Sequence, residues 1–311
     1  MAICETQLWE LIRSIEPTQT QKDGAARSQK YLREILNTGQ MAARIDRSDL
    51  SGSYARDTAI YPLDDVDIIF VINPAAWRTP LNAFLGSSTY PTPTSVLDSF
   101  ANAIRYRYPI SSVVGQRRSV RLQLFHLDID VVPAIQDSTN AQFIRIPDSS
   151  ANQWILSSPL KHAENATAVN KFQDGKFKPL VKLLKYWNYN LPSTAKFKSF
   201  AIETMAVRVF NNFKFGSLQE GLRYFFDFIA AASGNQTVFT WKDKYEISLG
   251  WLSGTIPDAA GTGTNIIAGI DDELRKRFVE NAIRSRNKIV ESFNALSIET
   301  ACRRVTEALR M

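Results

Sequence analysis

The segment from Val66 to Ile72 constrains the fold of this chain more than any other part of the sequence. It reads Val-Asp-Ile-Ile-Phe-Val-Ile, which is apolar and mostly β-branched apart from Asp67. Asn73-Pro74 follows at once and marks a turn. A short run of this composition, closed by a turn, predicts a buried β-strand.

Two pairs of carboxylates accompany the predicted strands. Asp65 and Asp67 stand at the head of the buried strand, and Asp128 and Asp130 repeat the same spacing on a later one. Residues i and i+2 of a strand project to the same face, so each pair repels itself unless a cation neutralises it. One isolated pair is also typical of a solvated strand end, but two pairs with apolar flanks favour a metal site. Oxygen ligands from two strands suit two Mg²⁺ ions, with Mn²⁺ as a substitute.

A glycine and a serine precede the first carboxylate pair. Gly52 allows backbone N–H groups to approach a phosphate closely, and the hydroxyl of Ser53 donates one further hydrogen bond. Gly-Ser is also common in ordinary turns. Its position before Asp-x-Asp favours a phosphate-binding role.

The hydrophobic patterns predict a mixed αβ region followed by a helical one. Leu8 to Ile15 and Tyr31 to Leu36 have helical spacing, and Pro17 separates them. Thr94 or Ser95 is expected to cap a helix that ends near Tyr108. Two strands are expected at 120–124 and 127–131, closed by Pro133; later helices are expected at 179–188, 200–210 and 272–293. The strand patterns fade near residue 150, which predicts domains at 1–150 and 151–311.

Composition limits the classes of protein that fit. The chain has 311 residues and a formal net charge of +6, which is compatible with phosphate-bearing ligands. The only four histidines and cysteines have no zinc-site spacing. Cys4 and Cys302 lie near opposite ends, which predicts a reduced intracellular protein without a disulfide. No signal peptide or membrane span is visible, so we expect a cytoplasmic protein without a membrane partner.

Three motifs of the first domain resemble the DNA polymerase beta-type nucleotidyltransferase superfamily. They are Gly52 to Thr58, Asp64 to Asp67, and Asp130 to Ala134. More narrowly, the chain resembles bacterial cyclic-oligonucleotide synthases related to cyclic GMP-AMP synthase and oligoadenylate synthase. The segments Ser158 to His162, Lys182 to Asn188 and Lys198 to Glu203 are similar to parts of that family's helical lobe. The likeness covers roughly residues 20 to 290.

The resemblance implies an α+β fold. A polymerase-beta-like core, with a mixed sheet and flanking helices, would precede a C-terminal helical lobe, with the active site in the cleft between them. By resemblance, three carboxylates are the catalytic metal ligands, and four further residues bind the nucleotide and its phosphates. The first set is Asp65, Asp67 and Asp130; the second is Gly52, Ser53, Lys185 and Ser199. Asp130 fits the third carboxylate better than Asp128 because Val-Val-Pro follows it directly.

Lys182 and Lys185 lie at i and i+3, so both side chains share one helix face and could reach a cleft. A solvated basic face is the alternative for Lys182. The sequence alone does not decide whether Lys182 and Asp128 take part.

The implied reaction joins nucleoside triphosphates (ATP, GTP, UTP or CTP) into a cyclic di- or oligonucleotide second messenger and releases pyrophosphate. The product would activate a separate effector protein in anti-phage defence. The zinc-binding insertion of the animal DNA sensor is missing, so the sequence does not support a nucleic-acid activator. Three alternatives remain: a linear oligonucleotide synthase, a nucleotidyltransferase acting on RNA ends or a small molecule, and an inactive nucleotide-binding module.

Overall fold

The computed structural model describes residues 4–77, 90–231 and 256–310. The chain forms two compact units, which we call the sheet unit and the helical unit. The sheet unit is Pro17–Ala163, and the helical unit combines Met1–Glu16 with Glu164–Met311. Packing therefore groups the first helix with the second half of the chain.

The helices and strands are numbered along the chain. The described helices are α1 (Glu5–Ile15), α2 (Gln19–Thr38), α3 (Gly52–Ala55), α4 (Pro93–Arg107), α5 (Pro159–Phe172), α6 (Phe177–Asn190), α7 (Ser199–Phe210), α8 (Leu218–Ala231), α9 (Asp272–Phe293) and α10 (Ile298–Leu309). The described strands are β1 (Ile45–Ser51), β2 (Asp65–Ile72), β3 (Ser112–Gly115), β4 (Val120–Gln123), β5 (Asp128–Gln136), β6 (Ile144–Asp148) and β7 (Gln153–Ser157).

The sheet unit contains a mixed seven-stranded sheet. Its main order is β1-β2-β5-β4-β3, while β6 pairs with the far part of β5 and β7 pairs with β6. Only β2 and β5 run parallel among the pairs described; the other pairs are antiparallel. The predicted buried strand is thus the neighbour of the strand that carries the second carboxylate pair.

Alternation along β2 separates a core face from a polar face. Val66, Ile68 and Phe70 are fully buried in the main core of the sheet unit, where Leu32 of α2 and Phe100 of α4 also lie. Each such side chain contributes roughly 1.5–3 kcal/mol by leaving water. Successive strand residues point to opposite faces, so the carboxylates of Asp65 and Asp67 lie on the face away from this core.

The polar face is covered by a smaller apolar cluster farther along the same strands. Ile69 and Val71 of β2, Ala134 of β5 and Ile144 of β6 form it. The acidic residues stand at the beginning of β2 and β5, before this cluster begins. The two strands are therefore buried on both sides at one end and carry charge on one face at the other.

Three details of the sequence prediction are wrong. Thr92, rather than Thr94 or Ser95, caps α4, because Pro93 with its fixed φ already occupies the first turn. Strand β5 continues through Pro133, which pairs with Phe70 at a point where neither β4 nor β6 pairs with β5, so its missing N–H is tolerated. Strands also extend past residue 150, because β7 completes the sheet.

Helix α6 lies at the centre of the helical unit. The ring of Trp187 is fully buried between Phe226 of α8 and Phe278 of α9, and its Nε1 donates a 2.9 Å hydrogen bond to Ser285 Oγ. This hydrogen bond gives the indole nitrogen a partner, which its burial would otherwise deny it. The helix predicted at 179–188 is longer by a few residues, and the one predicted at 272–293 matches α9.

The expectation of a chain without a disulfide is wrong. Cys4 and Cys302 are bonded, with Cα atoms 5.1 Å apart, which lies within the range a disulfide spans. The two positions are 298 residues apart in sequence, but the beginning of α1 and helix α10 belong to the same unit. The distance between the two cysteines along the sequence therefore did not indicate that they lie side by side in the fold.

None of the helices in the described part of the chain combines the length and the apolar composition needed to cross a bilayer.

Candidate active site

Two of the predicted carboxylates are direct neighbours in the sheet. Strand pairing places Asp67 opposite Asp130 across the parallel β2–β5 pair. Ser51 of β1 lies on the other side of Asp67, and Arg121 of β4 lies on the other side of Asp130. Directly paired residues project to the same face of a sheet, so these four side chains form one polar row across four strands.

A second row runs beside the first. Asp65 pairs with Asp128, which in turn pairs with Gln123 of β4. Asp128 thus stands next to Asp65, two residues before Asp130 on the same strand face. Both carboxylate pairs that the sequence singled out share one patch of the sheet.

Arg121 forms a two-point ion pair with Asp130. Its Nε lies 3.0 Å from Oδ1 and its Nη2 lies 2.6 Å from Oδ2, while its Nη1 lies 3.4 Å from a carboxylate oxygen of Asp128. The side chain of Asp130 is 10% exposed and that of Arg121 is 30% exposed. A two-point pair with a partly buried carboxylate is among the stronger polar interactions in proteins.

The electrostatic environment of Asp67 is unfavourable for its charged form. Burial, followed by repulsion from Asp65 and then from Asp130, raises the pKa of Asp67 to about 7. The cations Arg56 and Arg121 act in the opposite direction and reduce the shift. A carboxylate in this state gains from any further cation that approaches it.

Gly52 allows the chain to pass close to Asp67. It follows β1 directly, begins the short helix α3, and has a φ of +70°. A Cβ atom at this position would overlap Oδ2 of Asp67. Both the backbone conformation and the contact therefore require glycine, which gives a structural reason for the Gly-Ser motif beside Asp-x-Asp.

Ser53 lies in the same short helix, one residue beyond Gly52. Its carbonyl oxygen accepts a 3.0 Å hydrogen bond from the N–H of Thr58, and Thr58 is fully buried. Arg56 is also buried here. The turn between β1 and β2 is thus held by its own hydrogen bonds next to the polar row.

Lys185 and Ser199, the other two predicted phosphate ligands, belong to the helical unit. Lys185 of α6 is 3% exposed and lies 3.1 Å from a carboxylate oxygen of Glu203 on α7. Ser199 is the first residue of α7 and is exposed. Lys182 is buried and lies 2.7 Å from a carboxylate oxygen of Glu16. A solvated basic face is therefore wrong for this helix, because both lysines are buried in ion pairs.

Three carboxylates of the two rows fit a divalent cation by their chemistry. Asp65, Asp67 and Asp130 supply hard oxygen donors from adjacent strands. The raised pKa of Asp67 reflects burial first and then repulsion from Asp65 and Asp130, which a cation would relieve. Within the described residues, however, no three acidic, histidine or cysteine side chains converge into a finished ligand set.

Sequence reasoning missed Arg121 and Arg56 as parts of this patch. Arg121 was visible as a polar position alternating with Val120 and Leu122 in a predicted strand. The signal that could have found it is this alternation, which places Arg121 on the face away from the core. The pairing of β4 with β5, which brings it to Asp130, could not be read from the sequence.

Replacing Gly52 with alanine should destabilise the sheet unit beyond the usual cost of a positive φ. The added Cβ must displace Asp67 or the turn, at about 1–3 kcal/mol for such overpacking. Gly175→Ala is the matched control, since Gly175 has a φ of +82° and open space around it. Thermal unfolding should show a larger decrease in melting temperature for Gly52→Ala than for Gly175→Ala. Equal losses would contradict the close contact.

Asp67→Asn should stabilise the metal-free protein in a pH-dependent way. The pKa of Asp67 is raised from 3.8 to about 7, so the folded state binds this proton more tightly than the unfolded state. The associated stability is complete below pH 4 and is lost as the pH rises through 7. Asparagine stays neutral, so the melting-temperature difference between variant and parent should grow from pH 5 to pH 8 in the presence of a chelator.

The control for this experiment is Asp98→Asn, which removes an exposed carboxylate from α4. A difference between Asp67→Asn and parent that stays constant with pH, or that shrinks toward pH 8, would contradict the raised pKa that burial and the neighbouring carboxylates give Asp67.

Comparison with protein families gives a match over residues 1–170. The matching family is described as the Second Messenger Oligonucleotide or Dinucleotide Synthetase domain. The matched residues are more than half of the chain and include the whole sheet unit with both carboxylate pairs.

Individual relatives agree with the family. A cyclic AMP-AMP-AMP synthase of an Acinetobacter species is 28% identical, over 93% of this chain and 80% of the relative. The CBASS oligonucleotide cyclase CdnC of Escherichia coli is 28% identical, over 78% of this chain and 75% of the relative.

A solved structure, that of E. coli MS115-1 CdnC with ATP, has a TM-score of 0.73 at 19% identity and covers 99% of this chain and 98% of its own. This likeness confirms the expected α+β fold with a polymerase-beta-like core. The likeness in fold agrees with the family match over the sheet unit. The chain belongs to the family of second messenger oligonucleotide or dinucleotide synthetases, which are nucleotidyltransferases.

Proposed function

We propose that this enzyme makes its cyclic oligonucleotide with Asp65, Asp67 and Asp130 as the catalytic carboxylates and with ATP among its substrates. The observation that carries the assignment is the register of the parallel β2–β5 pair, which puts Asp67 directly beside Asp130. Asp128 is paired with Asp65 instead and stands farther from Asp67 along the strand. Asp130 is also the carboxylate of β5 whose charge raises the pKa of the buried Asp67, and this favours it over Asp128 as the third carboxylate.

Magnesium is the proposed cofactor, as two ions held by Asp65, Asp67 and Asp130, with manganese as a substitute. Bound there, divalent ions would lower the pKa of the attacking ribose hydroxyl and stabilise the charge on the leaving pyrophosphate. The raised pKa of Asp67 supports this assignment, because neutralisation by a cation restores its charged, ligating form near neutral pH.

The turn after β1 is the proposed contact with the triphosphate. Gly52 brings the backbone next to Asp67, and Ser53 follows it with its hydroxyl. A hydroxyl and backbone N–H groups beside the carboxylates can orient the phosphates while the carboxylates hold the cations. In this arrangement the protein positions the reacting groups and forms no covalent bond with them.

Lys185 and Ser199 are the proposed contacts with donor phosphates in the helical unit. Ser199 is exposed at the first turn of α7, where its hydroxyl and N–H groups are suited to an anion. Lys185 is buried beside Glu203, and this ion pair fixes the position of its ammonium group. We therefore assign Ser199 a direct contact with a donor phosphate. Lys185 would bind a phosphate while its ammonium group stays paired with Glu203.

The proposed biological role is antiviral signalling in the cytoplasm. The product would bind and activate a separate effector protein, as the likeness to a CBASS cyclase suggests. ATP is proposed as a substrate because one relative is named a cyclic AMP-AMP-AMP synthase and a structural neighbour contains ATP. GTP, UTP and CTP are the other candidate substrates.

The nature of the product tests this proposal. The purified protein, incubated with labelled ATP and the other three ribonucleoside triphosphates in Mg²⁺ or Mn²⁺, should release pyrophosphate and form a small labelled product. A cyclic product has no terminal phosphate, so it should resist phosphatase and be cut by phosphodiesterase. Asp67→Asn, which removes one proposed ligand, is the inactive control.

Two outcomes would contradict the cyclic product. A product that loses its label to phosphatase indicates a linear oligonucleotide synthase. Transfer of the label to added RNA, without a small product, indicates an enzyme that modifies RNA ends.

A further inference from the structure

The ion pair between Arg121 and Asp130 involves both oxygens of a carboxylate that the proposed function assigns to metal binding. Nε approaches one oxygen at 3.0 Å and Nη2 approaches the other at 2.6 Å. The guanidinium also lies 3.4 Å from Asp128, so its single positive charge faces both carboxylates of the second pair and offsets part of their charge. A divalent cation at Asp130 would have to compete with this contact.

The setting of Arg121 allows it to leave. It belongs to β4, not to the strand of Asp130, and its side chain is 30% exposed. Its neighbours Val120 and Leu122 anchor β4 in the core on the opposite face. A change in the Arg121 side-chain torsion angles can therefore break the ion pair while the strands remain paired.

We propose that Arg121 is the resident counter-ion of Asp130, which keeps this carboxylate neutralised in the metal-free enzyme and is displaced when a divalent cation binds there. This inference rests on the proposed metal-binding role of Asp130. Arg121 lowers the affinity of the empty site for a free cation, because each cation that reaches Asp130 must break a two-point ion pair.

Binding of Mn²⁺ to the full chain without nucleotide tests the inference directly, by calorimetry or by the electron-spin resonance signal of free Mn²⁺. In Arg121→Gln the dissociation constant should fall by about tenfold, since one positive charge within a few ångströms of the ion is removed. In Arg121→Lys, which keeps the charge but loses the two-point contact, the dissociation constant should fall by a smaller factor.

The chain offers a matched control in Arg117, which pairs with Asp148 in the same two-point geometry. The distances are 2.8 Å and 2.6 Å, and the pair belongs to the same unit. Arg117→Gln should leave Mn²⁺ affinity unchanged. In an Asp130→Asn background, Arg121→Gln should change the Mn²⁺ dissociation constant much less, because Arg121 acts on the ion through Asp130.

Unchanged or weaker Mn²⁺ binding in a folded Arg121→Gln variant would overturn the inference. An equal gain in Mn²⁺ affinity in Arg117→Gln would overturn it too. If Arg121→Gln does not fold, Arg121→Lys takes its place in the test, and a Mn²⁺ affinity equal to that of the parent overturns the inference. Mn²⁺ binding that depends on Asp130 but not on Arg121 refutes the inference alone. Mn²⁺ binding that is insensitive to Asp130, measured with or without ATP, refutes the proposed metal site as well.

Discussion

The parallel pairing of β2 with β5 is the constraint on which the site depends. It sets Asp67 beside Asp130 and Asp65 beside Asp128, and a shift of one residue would turn one pair into the core. Buried residues of the same strands fix this register, since Val66, Ile68, Ile129 and Val131 all lie in the main core. The hydrophobic core thus determines which carboxylates meet.

Bringing these carboxylates together costs electrostatic free energy, and the surrounding residues offset part of it. Arg121 pairs with Asp130, Arg56 lowers the pKa of Asp67, and the net effect still leaves that pKa near 7. Gly52 reduces the steric cost by letting the β1 turn pass against Asp67. An unfavourable concentration of negative charge, kept in place by an apolar core, is a typical property of a site that binds cations.

Much of this arrangement could be predicted from the sequence, because it depends on local patterns. The i, i+2 spacing of Asp65 and Asp67 and the apolar run behind them predicted the strand and its two faces. The contacts that depend on strand order could not be predicted, and Arg121 is the clearest example. The Cys4–Cys302 disulfide and the Lys182–Glu16 ion pair were missed for another reason, since their partners are 298 and 166 residues apart in sequence. The ion pair of Lys185 with Glu203 depends on how two helices pack, which the sequence pattern does not give.

Whether Asp130, the partner of Asp67 in the sheet, is the third catalytic carboxylate is tested most directly by comparing Asp130→Asn with Asp128→Asn. The two residues lie on the same strand face two positions apart and face different partners on β2. Both variants also remove a contact with Arg121, the two-point ion pair in Asp130→Asn and a single 3.4 Å contact in Asp128→Asn. The rate of pyrophosphate release from ATP is the measurement. We expect Asp130→Asn to lose nearly all activity and Asp128→Asn to keep a substantial part of it. Activity retained in Asp130→Asn and lost in Asp128→Asn would instead make Asp128 the third catalytic carboxylate.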